Sequence, residues 1–311
     1  VLGSVPNVLS CILSDLNSDS VDVLSVFEVD MVVLSLFDGM SCGMLALKRA
    51  GIQVDSYFAS EIDKYAVQVS KKNWSEIVHI GDVTQVSYKD GVLHTQFGSY
   101  ETKIDMVIGG SPCQSFSVAG DRTGFDGKSG LFFEYLRILR EVNPQYFLLE
   151  NVVMKKQWEE VINNELGVKP IMINSALVSA QSRRRLYWTN INGITQPQDK
   201  GILLKDVVEK PVFVTPPSYL LGEYCGRQRL STVNEYVGKS ACLTASMYKG
   251  QIPSYVKQDN LVHKLTPIEC ERLQTLPDDY TSSVSNSQRY KMIGNGWTVD
   301  VIAHIFSFIG K

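Results

Sequence analysis

Residues Ile104–Gln114 read I-D-M-V-I-G-G-S-P-C-Q, and the organisation of the chain follows from them. Ile104, Met106, Val107 and Ile108 make four apolar residues in five, as in a fully buried strand, and Gly109-Gly110 ends it. The Ser-Pro-Cys-Gln turn behind them lifts the thiol of Cys113 off the carboxyl end of a sheet strand, where open α/β sheets place their chemistry. Alone, such a cysteine is as readily a small core hydrophobe. Its neighbours decide.

Working outward, the chain alternates as βαβ units do from Met31 onward. MVVLSLF reads as a strand, MLALKRAG as a helix closed by Gly51, VDSYFAS as a strand and DKYAVQVSKKNW as its helix. IVHI, DMVIGG and QYFLLE are further strands, and the helix LFFEYLRILREV is stopped by Asn143-Pro144. IMINSALVSA and RRLYWTNI follow as a strand pair at the sheet edge. Residues 195–262 change character, with prolines, glycines and short β-like pieces in place of a helical period; they read as a small inserted lobe. Thr266-Pro-Ile-Glu269 is a capping box with proline at the first helical position, and TVDVIAHIFSFI returns an apolar helical face to the core. The expected division is a leader of unassigned role over 1–30, a catalytic and cofactor-binding domain over 31–190 and 264–311, and the lobe over 191–263.

Composition narrows the class. With 311 residues, 44% of them hydrophobic, the chain can bury one large core and a smaller lobe. No apolar run is long enough for a membrane span and no leader pattern precedes a cleavage site, so a cytoplasmic protein without a membrane partner is expected. Six scattered cysteines, with no Cys-x-x-Cys pair, argue against a disulfide framework and against a metal site. The formal net charge is −3, yet Gln181 to Lys264 carries twelve basic against six acidic side chains. A local positive face on an acidic protein suits a polyanion docked on one side.

The loop FDGMSCG joins the first strand to the first helix. Gly39 and Gly43 are expected to let the backbone turn tightly at a helix N-terminus, as nucleotide-type cofactors require. The loop is neither G-x-G-x-x-G nor a Walker A sequence, which disfavours dinucleotides and triphosphates. A cofactor without phosphates, such as S-adenosylmethionine, fits better. Glu61 ends the second strand where such folds put a carboxylate on ribose hydroxyls, Asp82 is placed to accept from an adenine amino group, and Phe37 can stack on the purine. Each is an ordinary loop or core residue when taken singly; three acids at successive strand ends, Asp38, Glu61 and Asp82, are less ordinary.

Strand QYFLLE ends in Glu150-Asn151-Val152, a carboxylate at a strand tip beside the Cys113 turn. A cysteine with a nearby acid and no histidine in either motif is a poor hydrolase. It suits attack on a pyrimidine: the thiolate adds at carbon 6 while the acid holds ring nitrogen 3 and the exocyclic amine, and carbon 5 becomes nucleophilic enough to take a methyl group.

FDGMSCG, ASEID, GDV, GGSPCQSFSVAG, LFFE, ENV, QSRRR, LTPIECERLQTLPD and GNGWTV resemble, in order, the motif series of the DNA cytosine-5 methyltransferases, over roughly residues 31–311. The SPC turn, the FDGMSCG loop and the tryptophan in GNGW look most like the animal de novo branch and its stand-alone bacterial or phage relatives. The resemblance implies an α/β fold, a Rossmann-like S-adenosylmethionine-dependent methyltransferase sheet with a small inserted target-recognition lobe. It also implies double-stranded DNA as partner and a bacterial or phage-infected cell as setting, and leaves the oligomeric state open. Cys113 is implied as nucleophile and Glu150 as the group that activates cytosine, with Asn151 holding the loop and Arg183 and Arg185 supporting the flipped base and Glu150. Phe37, Asp38, Gly39, Met40, Ser41, Glu61, Ile62, Asp82, Val83, Pro112, Leu131, Asn295, Gly296 and Trp297 are implied to line the cofactor pocket. Thr266, Glu269, Arg272 and Gln274 read as braces for the lobe.

The target base must leave the duplex to meet Cys113, as base-flipping methyltransferases require. The glycine-rich stretch from Ser115 to Gly130 is expected to close over it, with Gln114, Ser115, Ser117 and Arg122 touching DNA. Arg227, Arg229, Thr244 and Lys249 in the lobe supply the donors and hydroxyls suited to base edges and phosphates. Two alternatives stay open from sequence: a tRNA cytosine-5 methyltransferase on the same scaffold, whose Cys-Phe-Thr signature is missing here, and a catalytically silent DNA-binding homologue.

Overall fold

Val33, Leu34 and Leu36 are fully buried in β1 (Met31–Leu36), an interior strand of the main sheet. A computed structural model describes residues 31–112, 128–224, 227–249 and 254–311. After β1 come α1 (Cys42–Arg49), β2 (Val54–Ser60), α2 (Lys64–Asn73) and β3 (Val78–His79). A small antiparallel sheet follows, β4 (Ser87–Lys89), β5 (Val92–Thr95) and β6 (Gly98–Glu101), and the chain then enters β7 (Met106–Gly109). Next are α3 (Phe132–Val142), β8 (Tyr146–Val152), α4 (Lys156–Leu166), β9 (Ile171–Asn174) and β10 (Arg184–Thr189).

The main sheet has seven strands in the order β3-β2-β1-β7-β8-β10-β9, parallel from β3 to β8 and antiparallel at β10. Its strand order reverses between β1 and β7, and at such a switch point loops part and a crevice opens at the carboxyl ends. Phe37–Ser41 leaves β1 there, and Gly109–Pro112 leaves β7. The expected α/β fold and edge strand pair are therefore present.

The lobe contains short pieces: α5 (Leu204–Val207), α6 (Ser218–Leu221), the hairpin β11 (Glu223–Tyr224) and β12 (Arg227–Gln228), and a sheet of β13 (Asn234–Glu235), β14 (Tyr255–Gln258) and β15 (Leu261–Lys264). It has a small core of its own around Leu220, Val233, Tyr255 and Val262. Leu204, Val207, Leu243, Met247 and Val256 instead join the core cluster that includes Val33 of β1 and, late in the chain, Val299 and Ile302, so the lobe is rooted in the larger unit.

The chain closes with α7 (Pro267–Leu273), α8 (Asn286–Asn295) and α9 (Val299–Phe306). The capping box is formed: Thr266 Oγ1 accepts from Glu269 N–H at 3.3 Å, and Glu269 Oε2 accepts from Thr266 N–H at 2.7 Å. Val299, Ile302 and Phe306 of α9 are fully buried, and α9 packs on α1, returning the end of the chain to its first βα unit. Among the described residues, no helix is long and apolar enough to cross a membrane, and no group of three His, Cys, Asp or Glu could hold a metal ion.

Candidate active site

The loop after β1 carries unusual backbone. Phe37 (φ 58°), Gly39 (φ 64°) and Ser41 (φ 61°) all lie in the left-handed region, which costs an aromatic or a serine of order 1–3 kcal/mol each. The turn is held by its own polar groups: Gly39 N–H donates to Glu61 Oε2 at 2.8 Å, Tyr57 OH to Asp38 Oδ1 at 2.7 Å, and Ser41 Oγ to Asp38 Oδ2. Gly43 serves differently from expectation. It lies inside α1, and a Cβ there would sit 2.5 Å from Ile108 Cδ1 and 2.7 Å from Tyr57 OH; its task is close approach of helix to sheet, not a turn.

Glu61 Oε1 also accepts from Ile62 and Asp63 N–H, both at 2.8 Å. Burial nevertheless dominates and raises its carboxyl pKa above the ordinary value, against the lowering effect of those three donors.

The second strand tip is Glu150. Its Oε1 lies 2.9 Å from Arg185 Nε, and its Oε2 accepts from Trp297 Nε1 at 3.2 Å. The carboxylate is thus clamped from two sides, by the last arginine of the Gln-x-Arg-x-Arg motif, second residue of β10, and by a residue near the end of the chain. A Cβ on Gly110 would come within 3.0 Å of Trp297 Nε1 and 3.1 Å of Glu150 Oε2, so glycine there lets the turn after β7 pass beside the clamp. Asn151 Nδ2 donates to Ser111 Oγ at 3.2 Å and reaches its carbonyl at 3.4 Å, tying the tip of β8 to the turn that leads into Cys113.

Between these tips lies a cavity of about 370 Å³. Its lining brings together Phe37, Asp38, Gly39, Met40, Glu61, Pro112, Asn295, Gly296 and Trp297 with Glu150, Arg183 and Arg185. Sequence reasoning did not name Asp63, Gln288, Lys291 and Met292, which also line it; Lys291 Nζ binds Asp63 Oδ2 at 2.8 Å across 228 residues of chain, and no local motif announces such a pair. Ile62 and Asp82 line a second, more open cavity of about 670 Å³ that shares Glu61 with the first.

Three named residues lie elsewhere. Ser41 is buried and bonds Asp38 and Ser70, Val83 is 5% exposed within the core cluster around Leu34 and Phe58, and Leu131 caps α3 against that same cluster. The two motif arginines also divide. Arg183, 3% exposed, donates to the carbonyls of Leu243 (3.0 Å), Gly294 (3.2 Å) and Gly296 (3.0 Å), and its Nη1 lies 3.2 Å from Cys242 Sγ. Burial, then the neighbouring Arg185, pulls its pKa down. Arg183 braces the lobe against α8, whereas Arg185 holds the acid.

Cys113, Gln114, Ser115, Ser117 and Arg122 lie outside the described residues, as do the leader 1–30 and most of the expected closing segment. In the lobe, Thr244 packs its backbone on Gly294, and Lys249 ends a 3-10 turn (Met247–Lys249) with its Nζ over the Tyr248 ring. Arg227 falls in β12 and Arg229 opens the 3-10 turn Arg229–Thr232.

The family model for the C-5 cytosine-specific DNA methylases matches residues 31–196 and 160–311. The chain belongs to that family. Its reaction is methyl transfer to carbon 5 of cytosine in DNA. It is similar to the type II methyltransferase M1.ScrFI of Lactococcus lactis subsp. cremoris, 32% identical over 87% of this chain and 75% of that protein. It is also similar to M.HhaI of Haemophilus parahaemolyticus, 28% identical over 89% and 94%. Among solved structures, the Entamoeba histolytica methyltransferase EhMeth shares the fold with a TM-score of 0.68, at 18% identity over 90% of this chain and 97% of that one. Spodoptera frugiperda DNMT2 does so at 0.66, with 19% identity over 91% and 100%.

Proposed function

We propose that this methyltransferase draws its methyl group from S-adenosyl-L-methionine and acts on a cytosine everted from double-stranded DNA, with Cys113 as nucleophile and Glu150 as the group that grips the ring. The observation that carries the reading is the Glu150 clamp at the switch-point cavity. The cavity fits the donor by its chemistry. Asp38 and Glu61 set carboxylates on its wall, suited to hydroxyls and cationic centres, while Phe37 and Trp297 add aromatic surface. The donor, when bound, supplies an electrophilic methyl group.

The chain's own residues do the rest. Cys113, two residues after the Ser111 that Asn151 holds, adds as thiolate to carbon 6 of cytosine. Glu150 holds ring nitrogen 3 and the exocyclic amine as charge moves into the ring, and carbon 5 takes the methyl group. Loss of the carbon 5 proton and expulsion of the thiolate then restore the aromatic ring. Arg185 and Trp297 keep the carboxylate aimed, which is electrostatic preorganisation. The lobe over 191–263 reads the base sequence, with Arg227, Arg229, Thr244 and Lys249 facing base edges or phosphates.

The test is transfer of a labelled methyl group to duplex DNA by the parent and by Cys113→Ala. The parent should label DNA and form a denaturation-resistant adduct with DNA containing 5-fluorocytosine; Cys113→Ala should do neither while still binding S-adenosylhomocysteine. Undiminished transfer by the variant would overturn the assigned nucleophile.

A further inference from the structure

The second cavity has a wall that no cofactor motif accounts for. It is lined by Glu61, Ile62 and Asp82, from the strand tips, and by Gln96 and Phe97, from the β5–β6 turn. Phe97 is 65% exposed and Ile62 is 76% exposed, two large apolar side chains left in water on one cavity. Isolated exposed apolar residues need no explanation, but two that share a concave site with polar acceptors mark a place for a flat, partly apolar ligand.

The turn that presents Phe97 is built, not loose. Phe97 N–H donates to Thr95 Oγ1 at 3.1 Å, and Thr95 Oγ1 in turn donates to Gly98 O at 2.9 Å. Its underside rests on Gly81, where a Cβ would meet Gln96 Nε2 at 2.1 Å and Phe97 Cε2 at 3.1 Å. Gly81 has φ 79°, and Ser60 Oγ donates to its carbonyl at 2.8 Å. The hairpin tip is therefore docked on the very turn that carries Asp82.

Resting on the donor assignment made above, we infer that Phe97 is a cofactor-positioning residue: the β5–β6 turn supplies an aromatic lid for the adenine ring on the cavity that Ile62 and Asp82 also line. Continuity supports this occupant. Glu61 borders both cavities, so a ligand whose ribose meets Glu61 and whose charged end lies in the first cavity can reach the second with its base. An aromatic face closing on a purine contributes about a tenfold gain in affinity. Phe97 acts on binding alone, since it lines the second cavity and not the one that holds Glu150.

The test compares parent, Phe97→Ala and Phe97→Trp by calorimetric titration with S-adenosylhomocysteine, alongside steady-state transfer to DNA. Phe97 is exposed, so truncation leaves the fold intact, which a melting curve checks. The expected result is a roughly tenfold weaker Kd and a similarly raised KM for the donor in Phe97→Ala. kcat at saturating donor and KM for DNA should be unchanged, and Phe97→Trp should bind as the parent does. Unchanged affinity in Phe97→Ala, or a defect confined to KM for DNA, would overturn the inference while leaving the donor assignment intact. A parent that binds no S-adenosylhomocysteine would overturn both.

Discussion

Replacing Arg185 with alanine isolates what the clamp on Glu150 contributes. The pair is 2.9 Å apart with side chains 13% and 12% exposed, so the guanidinium–carboxylate hydrogen bond lies largely out of water. Bonds to charged groups of this kind contribute about 1.5–3 kcal/mol. If that difference falls wholly on the transition state, the rate drops by about 10- to 150-fold, since about 1.4 kcal/mol is a factor of ten. The loss stops short of abolition because Trp297 Nε1 still holds the other carboxylate oxygen at 3.2 Å. Single-turnover methyl transfer with saturating donor and DNA reads the chemical step directly. Arg185→Lys keeps the charge without the fork geometry and should fall between the two. Breaking a buried pair also destabilises, so the comparison belongs well below the melting temperature of the variant. A folded Arg185→Ala protein within threefold of the parent rate would refute the idea that this contact aims the acid.

Two other perturbations follow from the same geometry. Gly294→Ala puts a Cβ 2.2 Å from the Thr244 carbonyl carbon and 2.5 Å from Ala245 N, backbone atoms that cannot rotate away; urea denaturation should show a loss of at least about 1–3 kcal/mol, the usual range for overpacking. His263, 7% exposed with Nε2 2.9 Å from Glu269 Oε2, has its pKa raised above the usual 6.5, chiefly by that hydrogen bond. A raised histidine pKa gives stability that is complete below the ordinary value and is lost as pH rises through the folded-state value. Denaturation series from pH 5 to 9 should therefore show a decline across and above neutrality that His263→Gln lacks; identical slopes would sink the assignment.

What the sequence disclosed, and what it concealed, divides along physical lines. Strands β1, β2, β7 and β8 were legible because each is a short, largely apolar run that reaches a polar or glycine residue at or near its carboxyl end, and the tips of parallel strands converge at a switch point whatever the details. The Thr266–Glu269 box was legible because capping is local. The β4–β6 sheet went unread although Asp90-Gly91, both at positive φ, is a hairpin signal between β4 and β5; the strands are three and four residues long, too short for a period to show. Helix α4 was missed despite Trp158 and Ile162 at helical spacing and Gly167 at its end. The roles of the two arginines could not be separated, because Arg183 precedes β10 while Arg185 lies within it, and their partners stand 60 or more and 35 residues away. The Asp63–Lys291 pair is of the same kind.

The carbonyl of Gly296 shows why those long-range partners matter. It accepts from Arg183 Nη2 at 3.0 Å and from Gln274 Nε2 at 3.0 Å, while the next residue, Trp297, holds Glu150. Gln274 is in turn bonded to Gln181 and Thr298, and Gln181 accepts from Leu243 N–H in the lobe. Gln274, Gln181 and Thr298 are buried, so each lost bond leaves a polar group stranded, and the set is costly to break piecemeal. A shift of the 243–245 segment therefore presses on Gly294, Gly296 and through them on the indole that aims the carboxylate. The lobe that the chain inserts late and the acid it places early are thereby parts of one rigid seam, and a substitution in that seam is expected to change chemistry and target binding together rather than either alone.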